Sequence, residues 1–296
     1  MYAKRGAKIA LSLSMLLSLG LSCAANAEQF RAADVQAAIK GLSSRDDSDR
    51  KSAAYHLSEM GAVAKDAVPA LIAVLQNDTS ANVKGETCNA LGHIGPDAAP
   101  AIPAIIAFLQ SADGGYERTY AASALGNIGK QPEQAVPVLI ATVQGDSEPV
   151  VRQLAARALA SFGVDAKSAV PVLIESIKTG GKEMREAAAC GLEQIPCSPK
   201  DVPALTELLS DEIDSARGAA AKSIGGAGSE AVGAVPKLIA LLKDNNEHVR
   251  AMAASGLGEI GPDAREALPA LKAAVKDDPL ISFEARAAID KIKNKK

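Results

Sequence analysis

Three histidines, four cysteines and a row of seven cations are the residues of this 296-residue chain whose types and spacing bear on chemistry. His56, His93 and His248 stand far apart and none is followed by glutamate. A zinc site needs three or four convergent ligands, and this spacing supplies no such set. Cys190 and Cys197 are seven residues apart. On one helix their Cα atoms would be about 10 Å apart, beyond disulfide reach. Pro196 breaks the helix between them, so pairing by a fold-back stays open in an oxidising compartment. No nucleophile elbow, phosphate loop or dinucleotide fingerprint occurs. The one glycine cluster, Gly225-Gly226-Ala227-Gly228, reads as a weakened or kinked helix end. The expectation is a protein without catalysis, cofactor or metal.

The elements that position these residues begin after an address. Lys4, Arg5 and Lys8 precede an uncharged apolar run from Ile9 to Leu21, and Ala25-Asn26-Ala27 follows. That order is a secretory signal peptide, residues 1–27, and it predicts a periplasmic or secreted mature chain. A minority reading is lipidation at Cys23, within Gly20-Leu21-Ser22-Cys23. The remaining 269 residues carry 29 basic and 35 acidic side chains, a net −6. Mild acidity, 3% aromatics and no tryptophan argue against nucleic-acid binding. At 48% hydrophobic residues the chain is not disordered, and no second apolar run has the length of a membrane span.

Residues 28–296 repeat one phrase. Val-Pro-x-Leu or a close variant starts at 68, 102, 136, 170, 202, 235 and 268, with a degenerate copy at 35. Each of these eight units holds two helical halves. The first opens on the proline, whose fixed φ and missing N–H are harmless in a first helical turn. The second ends at a glycine (Gly61, Gly95, Gly129, Gly163, Gly228 and Gly261), with Pro196 in the fifth unit. A core column runs through the second halves: Leu57, Leu91, Leu125, Leu159, Leu192, Ile224 and Leu257. Four residues before it stand mostly alanines, which let helices approach closely. The fold class expected is all-α, a right-handed α-solenoid of about eight helix-turn-helix units forming a single domain.

The Val-Pro-x-Leu phrase, the turn aspartate, the Val-Arg pair and the Ala-Ala-x-Ala-Leu-Gly-x-Ile-Gly phrase, fullest around Asp244, Val249-Arg250, Ala253-Ala254 and Leu257 to Gly261, resemble the short HEAT repeats also found in bilin-lyase proteins. Seven residues before the core column stand Arg50, Lys84, Arg118, Arg152, Arg185, Arg217 and Arg250. At 100° per residue this position lies near the core column, not on the free face. Asp78, Asp146, Asp211 and Asp244 stand six residues ahead of four of these cations. The resemblance implies that such residues stitch adjacent units by charge-assisted hydrogen bonds; a cationic ligand groove is the alternative. The iron hydroxylases of this family use His-Glu pairs, and none is present.

Solenoids bind on the concave face, which second helices usually line. The outward columns nominate Tyr55, Glu86, Asn89, His93, Tyr120, Asn127, Leu154 and Arg157 as a partner-binding patch. Tyr116 lies on the same helix as Tyr120. His56 is expected to be a partly buried substitute for a small residue, and Cys88 a core residue. Lys291, Lys293, Lys295 and Lys296 suit a polar terminal cap. The function expected is an exported scaffold, monomeric, that binds a protein or extended peptide. The alternative, drawn from the resemblance, is a bilin-lyase-like or other small-ligand-handling protein.

Overall fold

The computed structural model describes residues 32–111 and 114–294. The expected signal segment with Ala27 and Cys23, and the terminal Lys295 and Lys296, lie outside the described residues. Those described are all-α, without a strand. Among the described residues sixteen α-helices form eight successive pairs: α1 (Ala32–Gly41) with α2 (Asp47–Met60), α3 (Val68–Asn77) with α4 (Ala81–Ile94), α5 (Ile102–Leu109) with α6 (Arg118–Ile128), and α7 (Pro132–Gly145) with α8 (Pro149–Leu159). The series continues with α9 (Val170–Thr179) and α10 (Lys182–Glu193), α11 (Val202–Leu208) and α12 (Asp214–Gly225), α13 (Val235–Leu241) and α14 (Glu247–Ile260), and α15 (Leu268–Asp277) and α16 (Ser282–Asn294). Packing divides the chain into two compact units, one up to Ala124 and one from Leu125 onward.

Local sequence explains the punctuation. Gly61, Gly95, Gly129, Gly163, Gly228 and Gly261 all have positive φ, between 48° and 81°. In this region a β-carbon is strained, so glycine ends the helix there. Most of these glycines lead into a short 3₁₀ segment whose buried alanines, such as Ala64 and Ala67, deliver the chain to the next proline. The fourth pair departs from the expected pattern. Its first helix starts at Pro132, after Gln131 in the left-handed region, and Pro137 falls inside the helix. A proline there forgoes one helical hydrogen bond.

In the first unit, Leu57, Leu71, Leu91, Ile102 and Ile105 are fully buried, and α2 packs on α4. In the second unit, α8, α10, α12, α14 and α16 pack in turn, over Leu139, Leu159, Leu173, Ile177 and Leu192. Small residues set the spacing there. A β-carbon on Gly191 would lie 2.1 Å from the carbonyl oxygen of Ala156, and one on Gly256 would lie 2.2 Å from that of Ala221. The glycine cluster follows the same rule. A β-carbon on Gly225 would meet Gly256 at 2.8 Å, and one on Gly226 would meet Pro196 at 2.2 Å. These glycines mark close approach, and α12 stops at Gly225, two residues before the position that Ile260 holds in α14, in keeping with the weakened end expected from the sequence.

Cations of the even helices reach across the stack. Arg50 donates through Nε and Nη2 to Asp78, at 2.6 and 3.0 Å. Arg217 does the same to Asp244, at 2.8 and 2.9 Å. Arg250 Nε donates to Asp278 at 2.6 Å, and Arg185 pairs with Asp211 and Glu212. Each carboxylate belongs to the turn of the following pair. The aspartate six residues ahead contributes its backbone carbonyl instead, as Asp211 O does for Arg217 Nη1 and Asp244 O for Arg250 Nη1. Asp78, Asp211, Asp244 and Asp278 also accept from the backbone N–H two residues on, which closes the turn. Lys84 sits over the Phe108 ring, 6.0 Å from its centroid, and Arg118 is buried.

The guanidinium hydrogen bond from Arg217 holds the Asp244 carboxyl below its ordinary range, and Arg50 and Arg250 do the same for Asp78 and Asp278. A depressed folded-state value means that the unfolded chain takes up protons first as pH falls. Stability from these rungs is complete above about pH 4 and declines as pH drops through the folded values. Urea unfolding between about pH 5 and pH 2 should therefore show a falling midpoint, with a shallower fall for Asp244→Asn; parallel slopes would contradict it. A second expectation concerns spacing. Gly256→Ala should lower the unfolding midpoint by about 1–3 kcal/mol of stability. Gly145→Ala, where nothing lies within 4 Å, should leave it unchanged or raise it by up to about 1 kcal/mol.

Candidate interaction face

The eight nominated residues fall on both compact units, five on the first and three on the second, and each set is described by itself. On the first unit, α2, α4 and the start of α6 carry Tyr55, Glu86, Asn89, His93 and Tyr120. The structure links three of these through a residue that the sequence columns did not nominate. Asn89 Nδ2 donates to Glu86 Oε1 at 2.9 Å and to Ser58 Oγ at 3.2 Å. His93 Nδ1 lies 2.7 Å from Ser58 Oγ and 3.2 Å from Ser58 O. Ser58 is 3% exposed, so the network is anchored in a closed place.

Glu86 corrects an expectation. It is not an outward group but is 9% exposed, and its carboxylate serves to orient Asn89. Ser58 occupies a column filled mostly by small residues, among them Gly92 in the next pair, with Glu193 the exception. A serine in that column carries no sequence signal. His93 itself is exposed, and its ring is held by the Nδ1 edge. His56 also corrects an expectation, since it is exposed. The matching Ala90 is fully buried because it faces α2. No described second helix precedes α2, so His56 stays exposed, bordering a shallow cleft with Asp34, Ala37 and Ala38 of α1. Its ring tilts against Tyr55, with centroids 6.2 Å apart.

The aromatic groups sit beside this network. Tyr55 is about half exposed and Tyr116 more so. Tyr116 meets Tyr120 edge to face, with centroids 6.4 Å apart at 88°, the arrangement that ring quadrupoles favour. Gly85 makes the room, since a β-carbon there would lie 3.2 Å from Tyr120 Cδ2. Partial burial, with the nearby Glu86 charge, raises the Tyr120 phenol above its ordinary value, so it stays protonated as a donor. A serine–histidine contact can serve nucleophilic catalysis. Here the carboxylate reaches Ser58 through Asn89 and not through the imidazole, and Ser58 Oγ is enclosed. The arrangement fixes donors and acceptors on a surface.

On the second unit, Asn127 and Arg157 are exposed and Leu154 is half-buried. Arg157 borders a cleft of about 610 Å³ with Lys182, Glu186, Cys190, Asp214 and His248. His248 Nε2 lies 2.9 Å from Glu193 Oε2, although 55 residues separate them in sequence. Gly218 on the intervening helix leaves the gap, since a β-carbon there would lie 3.3 Å from the His248 ring. Lys222 adds its ammonium to Glu193 at 3.9 Å. Cys190 is a free, exposed thiol, and Cys88 and Cys197 are free and buried. Burial drives the Cys88 thiol far above its ordinary range and pushes Cys197 up to about 11. Among the described residues no group of three or more His, Cys, Asp or Glu is placed to hold a metal ion.

Comparison with known proteins agrees with this architecture. A family described as HEAT repeats matches residues 35–126, 102–193, 136–225 and 202–290. An engineered protein of known crystal structure is 24% identical, with a TM-score of 0.61 over 87% of this chain and 78% of that one. Kap121p, in a crystal structure bound to Pho4p, is 15% identical, with a TM-score of 0.55 over 89% of this chain and 34% of its own. The complex of CpcE and CpcF of phycocyanin lyase from Nostoc sp. PCC7120 is 26% identical, covers 88% of this chain and 93% of that one, and has a TM-score of 0.42. No curated protein matches the chain.

Thiol chemistry checks the burial assignments. With an aromatic disulfide reagent at pH 8, Cys190 should react in the folded chain in seconds to minutes, whereas Cys88 and Cys197 should react only on unfolding. Rapid modification of all three, read by mass spectrometry of tryptic peptides, would contradict the placement.

Proposed function

We propose that this chain, which belongs to the HEAT-repeat family, is an exported, non-catalytic scaffold that binds a polypeptide on the face of its second helices, with the first compact unit as the principal contact. The observation that carries the reading is the Glu86–Asn89–Ser58–His93 network set among Tyr55, Tyr116 and Tyr120. Side chains fixed before a partner arrives lose less freedom on binding, which is how a surface gains affinity without a deep pocket. Tyrosines bring large contact area and a polar tip at low entropic cost. The enclosed Ser58 hydroxyl favours a positioning role over a nucleophilic one. Export rests on the order of cations, apolar run and small residues in the first 27 positions.

The test is a pull-down from an envelope fraction with the mature chain and a Tyr55→Ala, Asn89→Ala, Tyr120→Ala variant of equal helicity. The expected outcome is a protein retained by the first and reduced at least tenfold with the second, about 1.4 kcal/mol. Equal retention would remove this face from consideration. Mass analysis of the chain recovered from the same fraction should give an N-terminus at Glu28; an intact Met1 would sink the export reading.

A further inference from the structure

One rung of the ladder lacks its carboxylate. Arg152 is held as Arg50, Arg217 and Arg250 are, with Nη1 donating to the backbone carbonyls of Asp146 and Ser147. Arg50 Nη1 takes Ser44 O and Arg45 O in the same way, and Arg217 Nη1 takes Asp211 O and Glu212 O. In Arg50 and Arg217 the opposite edge, Nε and Nη2, is filled by an aspartate. In Arg152 that edge has no hydrogen-bond partner among the described residues.

The cause is local. Asp78 caps the end of α3 in extended conformation, and Gly180 stands in the same place at the end of α9. Two residues, Gly180 and Gly181, join α9 to α10, whereas three join α3 to α4. The shorter turn leaves no space for a side chain, because a β-carbon on Gly180 would lie 2.5 Å from Ser176 O. In place of an aspartate the groove holds a cavity of about 490 Å³, bordered by Arg152, Gln144, Glu175, Thr179, Gly181 and Met184. The corresponding groove of the first pairs contains Arg50 with the Asp78 carboxylate already in it. Glu175 borders the cavity, is exposed, and makes no ion pair with Arg152, so the guanidinium charge is not neutralised from within. Gly181 offers no side-chain cap to the first N–H groups of α10, which adds positive potential on the same side.

We propose that Arg152 and this cavity form a binding site for a carboxylate presented by another polypeptide, an aspartate or glutamate side chain that completes the missing rung. The bidentate geometry is set by the chain itself, since the Nη1 edge is anchored and the free edge matches the one that Asp78 and Asp244 occupy at 2.6–3.0 Å. The site lies beside first helices α7 and α9, so it stands apart from the second-helix face and does not depend on that reading.

The experiment is solution NMR of the mature chain with ¹⁵N-labelled arginine, following the Nε–Hε signals. The probe is acetyl-Gly-Asp-Gly-amide, with acetyl-Gly-Asn-Gly-amide and inorganic phosphate as comparisons. The Arg152 signal, assigned by its loss in Arg152→Lys, should move saturably at about millimolar aspartyl peptide. It should respond at least tenfold more weakly to the asparaginyl peptide, while the Arg217 and Arg250 signals stay still. Thermal unfolding gives a second reading that does not need the ligand: Arg152→Gln should lower the midpoint less than Arg217→Gln, because it breaks no carboxylate pair. No saturable shift up to about 50 mM peptide, equal shifts at Arg217 and Arg250, or a response to phosphate alone would each overturn the proposal.

Discussion

A pair of helices of ten or so residues cannot bury an apolar stripe on both of its sides, so each pair depends on its neighbour for a core. Everything else in the chain follows from how close that neighbour comes. Along the second unit the even helices touch through glycine and alanine, with Gly191 against Ala156 and Gly256 against Ala221 leaving no room for a methyl group. This contact fixes the register between one pair and the next. It brings residues some 26 to 35 positions apart in sequence into hydrogen-bond distance.

The arginine rungs depend on that register and reinforce it. Arg50, Arg217 and Arg250 each have one edge of the guanidinium on the backbone of their own turn and the other on the carboxylate of the next turn. A shift of one pair along its neighbour would break both the pair and the turn that the aspartate closes. Direction also matters, because the carboxylates that Arg50, Arg185, Arg217 and Arg250 take from the following pair all lie C-terminal to them. Shortening a single turn by one residue, as at Gly180, removes a carboxylate and leaves its arginine posed for one.

The candidate interaction face lies where the packing rule is relaxed. In most pairs the column of Ser58 holds a small residue against the adjacent helix. At Ser58 a hydroxyl is enclosed instead, and Asn89, Glu86 and His93 organise around it. The same relaxation accounts for His56, which stands where Ala90 is buried one pair later. His248 reaches Glu193 two pairs away because Gly218 between them has no side chain.

The repeat spacing by itself determined the helix pairs, their glycine ends at positive φ and the columns that form the core, because these depend on local propensity and on a period that the sequence displays directly. It also placed the arginines at the packed edge of the even helices. Only the tertiary structure decided which aspartate each arginine takes, that Glu86 is buried, that Ser58 joins Asn89 to His93, and that Arg152 keeps one edge free. Those facts turn on side chains from different pairs meeting within about 3 Å, the reach of a hydrogen bond. A sequence column records what stands at a position, but not what the neighbouring pair sets opposite it.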